Sequence, residues 1–549
     1  MSVLHGPNLI VNPKESIWKY MGEKISSYGD KVAQIDAETG VELTYTQLAN
    51  SVVTMKKSLT AYGIRSGDVI AISSENNIEY PWVLLGSLAA GASCILLNPA
   101  YTPRELEHAL EISQPRIVLC SASVGKCNQQ GQTPSIDAFF KIDCIQDVIV
   151  WGSQDKNLPN VCKRLEDIIN HTVEIESKQY PENQKSSESS SINCDAVKSG
   201  ESHIALILSS SGSTGLPKGV TLTHTNVVAA LTTSGSYASR EDIALGLMPF
   251  FHAYGLVLML MCLCEGAKVV VMNKFAVDVF VSTIKKYQIT SLYLVPSLLA
   301  LISKRDLITD EIFRSVRQVW TGAASVNPDI QKIVNEKLAG HGHLHHSYGL
   351  TETTFTVFTG LYRLDKSGSP GKLTPGLECK VINPNTKQLC GPNEIGELCF
   401  RGPLLMAGYM KNSEATSEAI DFEGWLHSGD LGYYDNDSYF FIVDRLKEMI
   451  KYQGYQVSPT ELESILLTHS AIQDAAVIGI PDDVFGELPQ AFIVKQPGIE
   501  ISREEIMEFV AKRVSPHKRL HGGVKFVDFI PKTVSGKIQR RELRKYKDI

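Results

Sequence analysis

The chain has 549 residues, 43% of them apolar, which is too long for one hydrophobic core and implies two or more domains. Its 53 basic and 60 acidic residues leave a net charge of −7, so no global positive field points to nucleic acid. The 11 cysteines are scattered with no CxxC pair, a pattern that suits reduced, mostly buried thiols in a reducing compartment.

The opening run MSVLHGPNLIVNPKES lacks a basic stretch followed by an apolar core, so a secretory leader is not expected. Residues 43–120 alternate two kinds of segment. LTYTQLANSVVTMKKSLTAYGI has apolar residues at helical spacing and stops at a glycine. DVIAISSEN predicts a short strand, and WVLLGSLAAGASCILLN reads as helix, glycine punctuation, then strand. That alternation predicts an α/β fold built on a mostly parallel, doubly wound sheet. Residues 178–201 are polar and Ser/Glu-rich, a surface excursion or local linker with little to bury. No internal repeat has solenoid or propeller spacing.

The apolar run IALIL (204–208) predicts a buried strand, and SSSGSTGLPKGV (209–220) follows it. Glycines let several N–H groups converge, Ser and Thr add donors, and Lys218 adds charge, which together make an anion cradle suited to phosphate. A flexible linker is the alternative. The stretch is not a Walker A loop, because Lys218 stands between Pro217 and Gly219. In PFFHAYG (249–255), His252 and Tyr254 share a face if the segment is extended, although a lone histidine beside aromatics is more often structural than catalytic. GLVLMLMCLC (255–264) ends at Glu265, well short of the ~20 residues a membrane-spanning helix needs.

HGHLHH (341–346) would place His341, His343 and His345 on one strand face, but no clear fourth ligand stands nearby and zinc is not expected. In HSYGLTETT (345–353), Tyr348 can stack on a base, Gly349 permits close approach, and Glu352 beside Thr351 offers hard oxygens to Mg²⁺; an ordinary strand-to-loop turn is the alternative. Asp430 of GWLHSGDLGYY, a lone acid between glycines, suits paired ribose hydroxyls or a surface turn. DRLKEMIKYQGYQVSP (444–459) carries Arg445, Lys447 and Lys451 and reads as a hinge or a solvated face. The residues after it have their own strands (AAVIGI, QAFIV, VKFVDFI) and helices (PTELESILLTHSAI, EEIMEFVAKRV), a small α+β domain. In PKTVSGKIQRREL (531–543) a Ser-Gly turn can swing Lys537 towards a polyanion, unless the segment is a basic surface tail. The final KYKDI differs from an S-K-L peroxisomal address, so a cytoplasmic location is expected, with peroxisomal as the alternative.

Taken in order, SSSGSTGLPKGV, FFHAYG, TGAAS, YGLTETT, GWLHSGD, DRLKEMIKYQGYQVSP and PKTVSGK resemble the adenylate-forming superfamily, over about residues 10 to 545. Within it the chain is similar to 4-coumarate–CoA ligases, acyl-CoA synthetases and insect luciferases. The resemblance implies a large N-terminal domain (1–443) with doubly wound sheets and a small β-barrel, a hinge (444–451) and a mobile α+β lid (452–549). It implies two half-reactions: a carboxylate attacks the α-phosphorus of Mg·ATP, then a thiol, usually of coenzyme A, displaces AMP. Such chemistry requires positioning and charge neutralisation more than a covalent nucleophile.

By the same resemblance, Ser210, Ser211, Gly212, Ser213, Thr214 and Lys218 hold the triphosphate, and Thr214 and Glu352 serve Mg²⁺. Gly322, Ala323, Tyr348 and Gly349 flank adenine, Thr351 faces the phosphates, and Asp430 with Arg445 takes the ribose. Lys537 bridges carboxylate and α-phosphate during adenylation, and Lys451, Gln456 and the Gln453–Gly454 loop face the site during thioester formation, with Lys447 near the hinge. His252 and Tyr254 line the acyl pocket, and Lys274 contacts coenzyme A.

The chain departs from luciferases where luciferin binds: Phe355 and Trp320 stand where those proteins have a small serine and an alanine. Bulky aromatics at both places remove pocket volume. Ser347, His346 and Gln453 replace a usual glycine, glutamine and lysine. The expected activity is therefore an ATP-dependent carboxylate–CoA ligase acting on a fatty or arylpropenoic acid. A luciferase-like monooxygenase and a nucleotide-binding pseudoenzyme are the alternatives, and the acid's identity and the oligomeric state are open.

Overall fold

In the computed structural model, which describes residues 3–12, 15–125, 134–152, 161–179, 203–210, 217–304, 307, 309–322, 326, 328–338, 340–453, 455–482, 484–533 and 536–545, the alternation expected over 43–120 is present. Helix Tyr45–Ala61 starts at a capping box, Thr44 and Gln47 satisfying each other's backbone N–H groups, and buries Leu48, Val52, Met55 and Leu59 on one face. Helix Pro103–Ser113 repeats the device with Thr102 and Glu105 and opens on a proline. The strands Val69–Ser73 and Ser93–Leu97 between them are almost wholly buried, as strands covered on both faces must be. Of residues 178–201, those from 180 onwards lie outside the described residues.

Two large sheets form the body. The first runs, edge to edge, Gly408–Tyr409, Lys218–Thr223, Ile204–Ser210, Ser93–Leu97, Val69–Ser73, Ile117–Ser121, Asp147–Trp151 and Lys163–Arg164. It is parallel except at the Lys218–Thr223 end. The second runs Lys372–Leu373, Thr356–Leu361, His343–Gly349, Gln318–Thr321, Ser291–Leu294, Ile243–Gly246, Lys268–Val271, Val32–Asp36 and Glu42–Thr44, with a parallel centre and antiparallel ends. Helix Ala253–Cys264, apolar on every side, is buried in the core that both sheets share. Among the described residues no helix is long and apolar enough to cross a membrane. Cys94, Cys120, Cys262, Cys264, Cys379, Cys390 and Cys399 are buried thiols.

A third, antiparallel sheet (Leu4–His5, Glu378–Ile382, Gly396–Arg401, Leu426–Tyr434, Phe440–Arg445) stands where the small barrel is expected. The fourth belongs to the C-terminal part: Tyr455–Val457, Ile450–Tyr452, Gly486–Lys495 and Ile472–Asp482, with Val524–Phe526 alongside. Helices Pro459–Leu467 and Arg503–Ala511 pack on it and give it a separate core. Strand Phe440–Arg445 closes the third sheet, and strand Ile450–Tyr452 opens the fourth a few residues later.

The third sheet also holds a titratable lock. His427 lies opposite Cys399 in register, its Nδ1 3.2 Å from Glu397 Oε2 and its Nε2 3.3 Å from Asp421 Oδ2. Hydrogen bonding to Cys399 and Glu397 pushes the imidazole up to about 10. A folded value above the unfolded one of about 6.5 means the stabilisation is complete below that pH and is lost as pH rises through about 10. Thermal midpoints are therefore expected to fall between pH 7 and pH 10 in the parent, and His427→Gln should flatten that fall. A parent and variant with parallel profiles would contradict the lock.

Candidate active site

The run IALIL lies in strand Ile204–Ser210, which pairs antiparallel with Lys218–Thr223 so that Lys218 stands opposite Ser210. The serine–glycine stretch thus joins two arms of a hairpin and does not lead into a helix. Ser211, Gly212, Ser213 and Thr214 lie outside the described residues. Lys218 Nζ sits 4.7 Å from the centre of the Tyr409 ring, and Tyr409 Oη donates to Glu352 Oε1 at 2.9 Å. Tyr409 reaches this place because Gly408–Tyr409 adds an edge strand beside Lys218–Thr223. It ties two expected site residues together, and sequence reading missed it: a tyrosine after a glycine in MAGYMKN carries no charge pattern.

HSYGLTETT is indeed a strand that ends in a turn, His343–Gly349 followed by the short 3-10 segment Thr351–Thr353, and the turn presents Glu352. A Cβ on Gly349 would lie 2.0 Å from Phe355 O, and one on Gly322 would lie 2.6 Å from Ser347 Oγ, so neither position has room for a side chain. Ala323 is outside the described residues. Just past the turn, Thr354 holds a φ of +61°, a left-handed backbone that costs a β-branched residue free energy and that functional turns often carry.

Asp430 is not in a surface turn. It is 3% exposed, within strand Leu426–Tyr434 and opposite Arg445 in register. Tyr348 Oη donates to Asp430 Oδ2 at 2.5 Å, and Arg445 Nε lies 3.1 Å from Oδ1. Burial pushes the carboxyl up against the pull of Arg445. Oδ1 accepts no hydrogen bond among the described residues, so it has lone pairs for an incoming hydroxyl. The solvated-face reading of DRLKEMIKYQGYQVSP fails for Arg445, half-buried against Asp430, and for Asp444, which accepts from Ser458 Oγ and Thr460 N. It holds for Lys447 and Lys451, which are exposed.

Lys537 is no surface tail. Gly536 has a φ of +81° and a Cβ there would lie 2.9 Å from Ser297 Oγ, so the loop presses its backbone onto the large domain. The Lys537 ammonium is pushed down by burial and by Arg445, while Asp430, Glu352 and Glu448 hold it up. Burial, with the charge of Lys537, in turn pushes His252 down to about 4. Lys537 is therefore within reach of the charges of Arg445, Asp430 and Glu352, and His252 within reach of the charge of Lys537. Lys451 and Gln456, opposite each other in the hairpin at the start of the fourth sheet, are exposed, as are Gln453 and Lys274. Gly454 lies outside the described residues.

His252 and Tyr254 do not share an extended face. His252 caps helix Ala253–Cys264, its Nδ1 accepting from Tyr254 N at 3.3 Å, so the chain has turned helical before Tyr254. Tyr254 stacks on Phe355 with ring centres 6.2 Å apart. Trp320 lies between Tyr237 (4.4 Å) and His345 (4.0 Å), and Tyr237 also meets Phe355 (6.5 Å). In HGHLHH, His345 stacks on Trp320, and His346 is buried within 3.2 Å of Gln331 and Ser369. A small apolar cavity of about 20 Å³ is lined by Met248, Phe250, Gly255, Leu258, Cys262 and Tyr293.

Residues 22–410 match the family model described as AMP-binding enzyme, and residues 461–537 match the AMP-binding enzyme C-terminal domain. The chain is 38% identical over 553 residues to the luciferin 4-monooxygenase of Nipponoluciola cruciata, covering 98% of this chain and 97% of that one. It is 36% identical over 552 residues to 4-coumarate–CoA ligase 1 of Petroselinum crispum, covering 98% and 95%. Among solved structures it is similar to ATP-bound MatB from Rhodopseudomonas palustris, with a TM-score of 0.81, 25% identity and coverage of 96% and 99%.

Proposed function

The chain belongs to the AMP-binding enzyme family, and from that premise we propose that it is an ATP-dependent, AMP-forming carboxylate–CoA ligase acting on a fatty or arylpropenoic acid. The observation that carries this reading is the buried Asp430 held by Tyr348 and Arg445, with Lys537 within reach of their charges.

In the first half-reaction a carboxylate oxygen of the acid bonds to the α-phosphorus of ATP, and pyrophosphate leaves. Lys537 stabilises the negative charge shared by the incoming carboxylate and the α-phosphoryl oxygens. Asp430 accepts from the ribose hydroxyls through Oδ1, with Tyr348 and Arg445 fixing its plane. Gly349 and Gly322 flank adenine, each packed so closely on Phe355 or Ser347 that no side chain fits there. Ser210, Ser211, Gly212, Ser213, Thr214, Thr351 and Lys218 hold the phosphates, Tyr409 keeping Lys218 beside Glu352. Glu352 and Thr214 would hold Mg²⁺, a hard cation that favours such oxygens and would neutralise phosphate charge. His252, neutral at working pH, lines the acid's entry without adding a competing cation.

In the second half-reaction the sulfur of coenzyme A attacks the acyl carbon, and the acyl–oxygen bond breaks to release AMP. The segment 444–451 serves as a hinge about which the lid (452–549) turns relative to residues 1–443. Lys451, Gln456, Gln453 and Gly454 then face the site, and Lys274 contacts coenzyme A. Exposure of Lys451 and Gln456, with a half-buried Lys537 loop pressed on Ser297, fits a lid set for the first step.

The stack of Tyr237, Trp320 and His345, with Phe355 beside it, favours this reading over luciferin oxidation, because it fills space a rigid heteroaromatic acid needs. The test is ATP–pyrophosphate exchange across a panel of carboxylic acids, with and without coenzyme A. Exchange together with thioester product is expected. Light from luciferin without thioester would favour a monooxygenase, and nucleotide binding without exchange would favour a scaffold.

A further inference from the structure

We infer that Arg540 is a positioning residue for Lys537, and that its pairing with Glu448 is a latch that holds only in the lid orientation described above. This rests on the ligase reading. Arg540 stands three residues after Lys537 and opens the short helix Arg540–Arg544. Its side chain is 11% exposed and spans two carboxylates: Nη1 lies 2.8 Å from Glu463 Oε1, and Nε lies 3.0 Å from Glu448 Oε2.

The two arms differ in what they report. Glu463 belongs to helix Pro459–Leu467 in the core of the small domain, so that arm stays made whatever the lid does. Glu448 belongs to the turn between strand Phe440–Arg445 of the third sheet and strand Ile450–Tyr452 of the fourth, with its N–H bonded to Arg445 O at 3.0 Å. A rotation about that turn moves Glu448 against Arg540 and leaves Glu463 in place.

The link from Arg540 to Lys537 is stiff. Thr533 N donates to Lys537 O at 2.8 Å, Lys537 N to Thr533 Oγ1 at 3.1 Å, and Gln539 N to Pro531 O at 2.8 Å. Lys532 and Ile538 form a bridge across the same loop. A shift of Arg540 is therefore passed to Lys537 and not absorbed between them. The Glu448 carboxylate is also close enough for its charge to act on Lys537 and Asp430. Held by Arg540, it is less able to compete with the substrate's carboxylate for the Lys537 ammonium.

Glu448→Gln tests this without breaking the buried Arg540–Glu463 pair, whose loss on Arg540→Ala would leave Glu463 uncompensated and unfold the tail. The expected result is an adenylation kcat about tenfold lower with KM for ATP within about twofold, a size in keeping with a small misplacement of a catalytic group. Thioester formation from supplied acyl-adenylate should be unchanged or faster. Backbone amides of residues 536–541 should exchange with deuterium about tenfold faster. Arg540→Lys, which keeps the charge but not the two-carboxylate reach, should reproduce the bias between half-reactions. An equal fall in both half-reactions, or no change in either, overturns the latch. If the parent activates no acid, the ligase reading is what has failed, and unchanged deuterium exchange in Glu448→Gln then overturns the latch separately.

Discussion

Replacing Lys537 by alanine is expected to lower the rate of acyl-adenylate formation by about 10²- to 10³-fold, roughly 3 to 4 kcal/mol of transition-state stabilisation. Conversion of a supplied acyl-adenylate to thioester should stay within a few-fold of the parent. The asymmetry follows from place. Lys537 sits on the loop pinned at Ser297 and faces Asp430, Glu352 and Arg445, whereas Lys451 lies exposed on a hairpin of the same domain. A cation fixed where charge develops in one transition state is misplaced for a second that forms on another atom. Lys451→Ala should accordingly give the opposite pattern, slow thioester formation with normal pyrophosphate exchange. Both rates measured separately on both variants decide the matter, and equal losses in either variant would end the idea of exchanged lysines.

Trp320→Ala is expected to destabilise the large domain by about 3 to 5 kcal/mol, the usual cost of removing a buried indole. Trp320 is 6% exposed, stacks on His345, packs tilted against Tyr237, and bonds through Nε1 to Gln318 Oε1 at 3.0 Å. Where this wall of rings bounds the proposed acid site, the same change should extend pyrophosphate exchange to bulkier, branched or fused-ring acids. Phe355→Ser should do so more modestly. Both side chains meet Tyr237, so the double variant should lose less stability than the two single losses added together. Urea unfolding read by tryptophan and tyrosine signals, with exchange assays over the acid panel, measures both effects. Undiminished stability and an unaltered acid range would show that Trp320 does not form that wall.

The parts of the fold that sequence made legible are those fixed by local chemistry. The β/α alternation over 43–120 forms because Thr44–Gln47 and Thr102–Glu105 start helices and apolar runs of strand length follow glycines. The strand at 204–210 was readable from IALIL for the same reason. Non-local pairing was not readable. Nothing near Tyr409 announces that Gly408–Tyr409 will lie beside Lys218, almost two hundred residues earlier. His252 misled because histidine is a poor helix-start signal compared with Ser, Thr, Asp or Asn, so the helix at Ala253 gave no warning. The surface alternatives for Asp430 and for the PKTVSGKIQRREL tail fail because burial of a charge depends on a partner, and the partners of Asp430 and Arg540 arrive from other strands and helices. The candidate site was legible as a set of residue types in order, and its wiring was not.

The pairing of Asp430 with Arg445 joins two tasks in one piece of backbone. Arg445 is the last residue of its strand, and Leu446 N, the next residue, donates to Gly429 O at 2.8 Å, so the peptide that would grip the sugar is bonded to the start of the pivot. In the proposed ligase, departure of the sugar would leave Asp430 held by Tyr348 and Arg445 alone. On that reading the sugar's presence and the set of the pivot would be felt through one stretch of backbone.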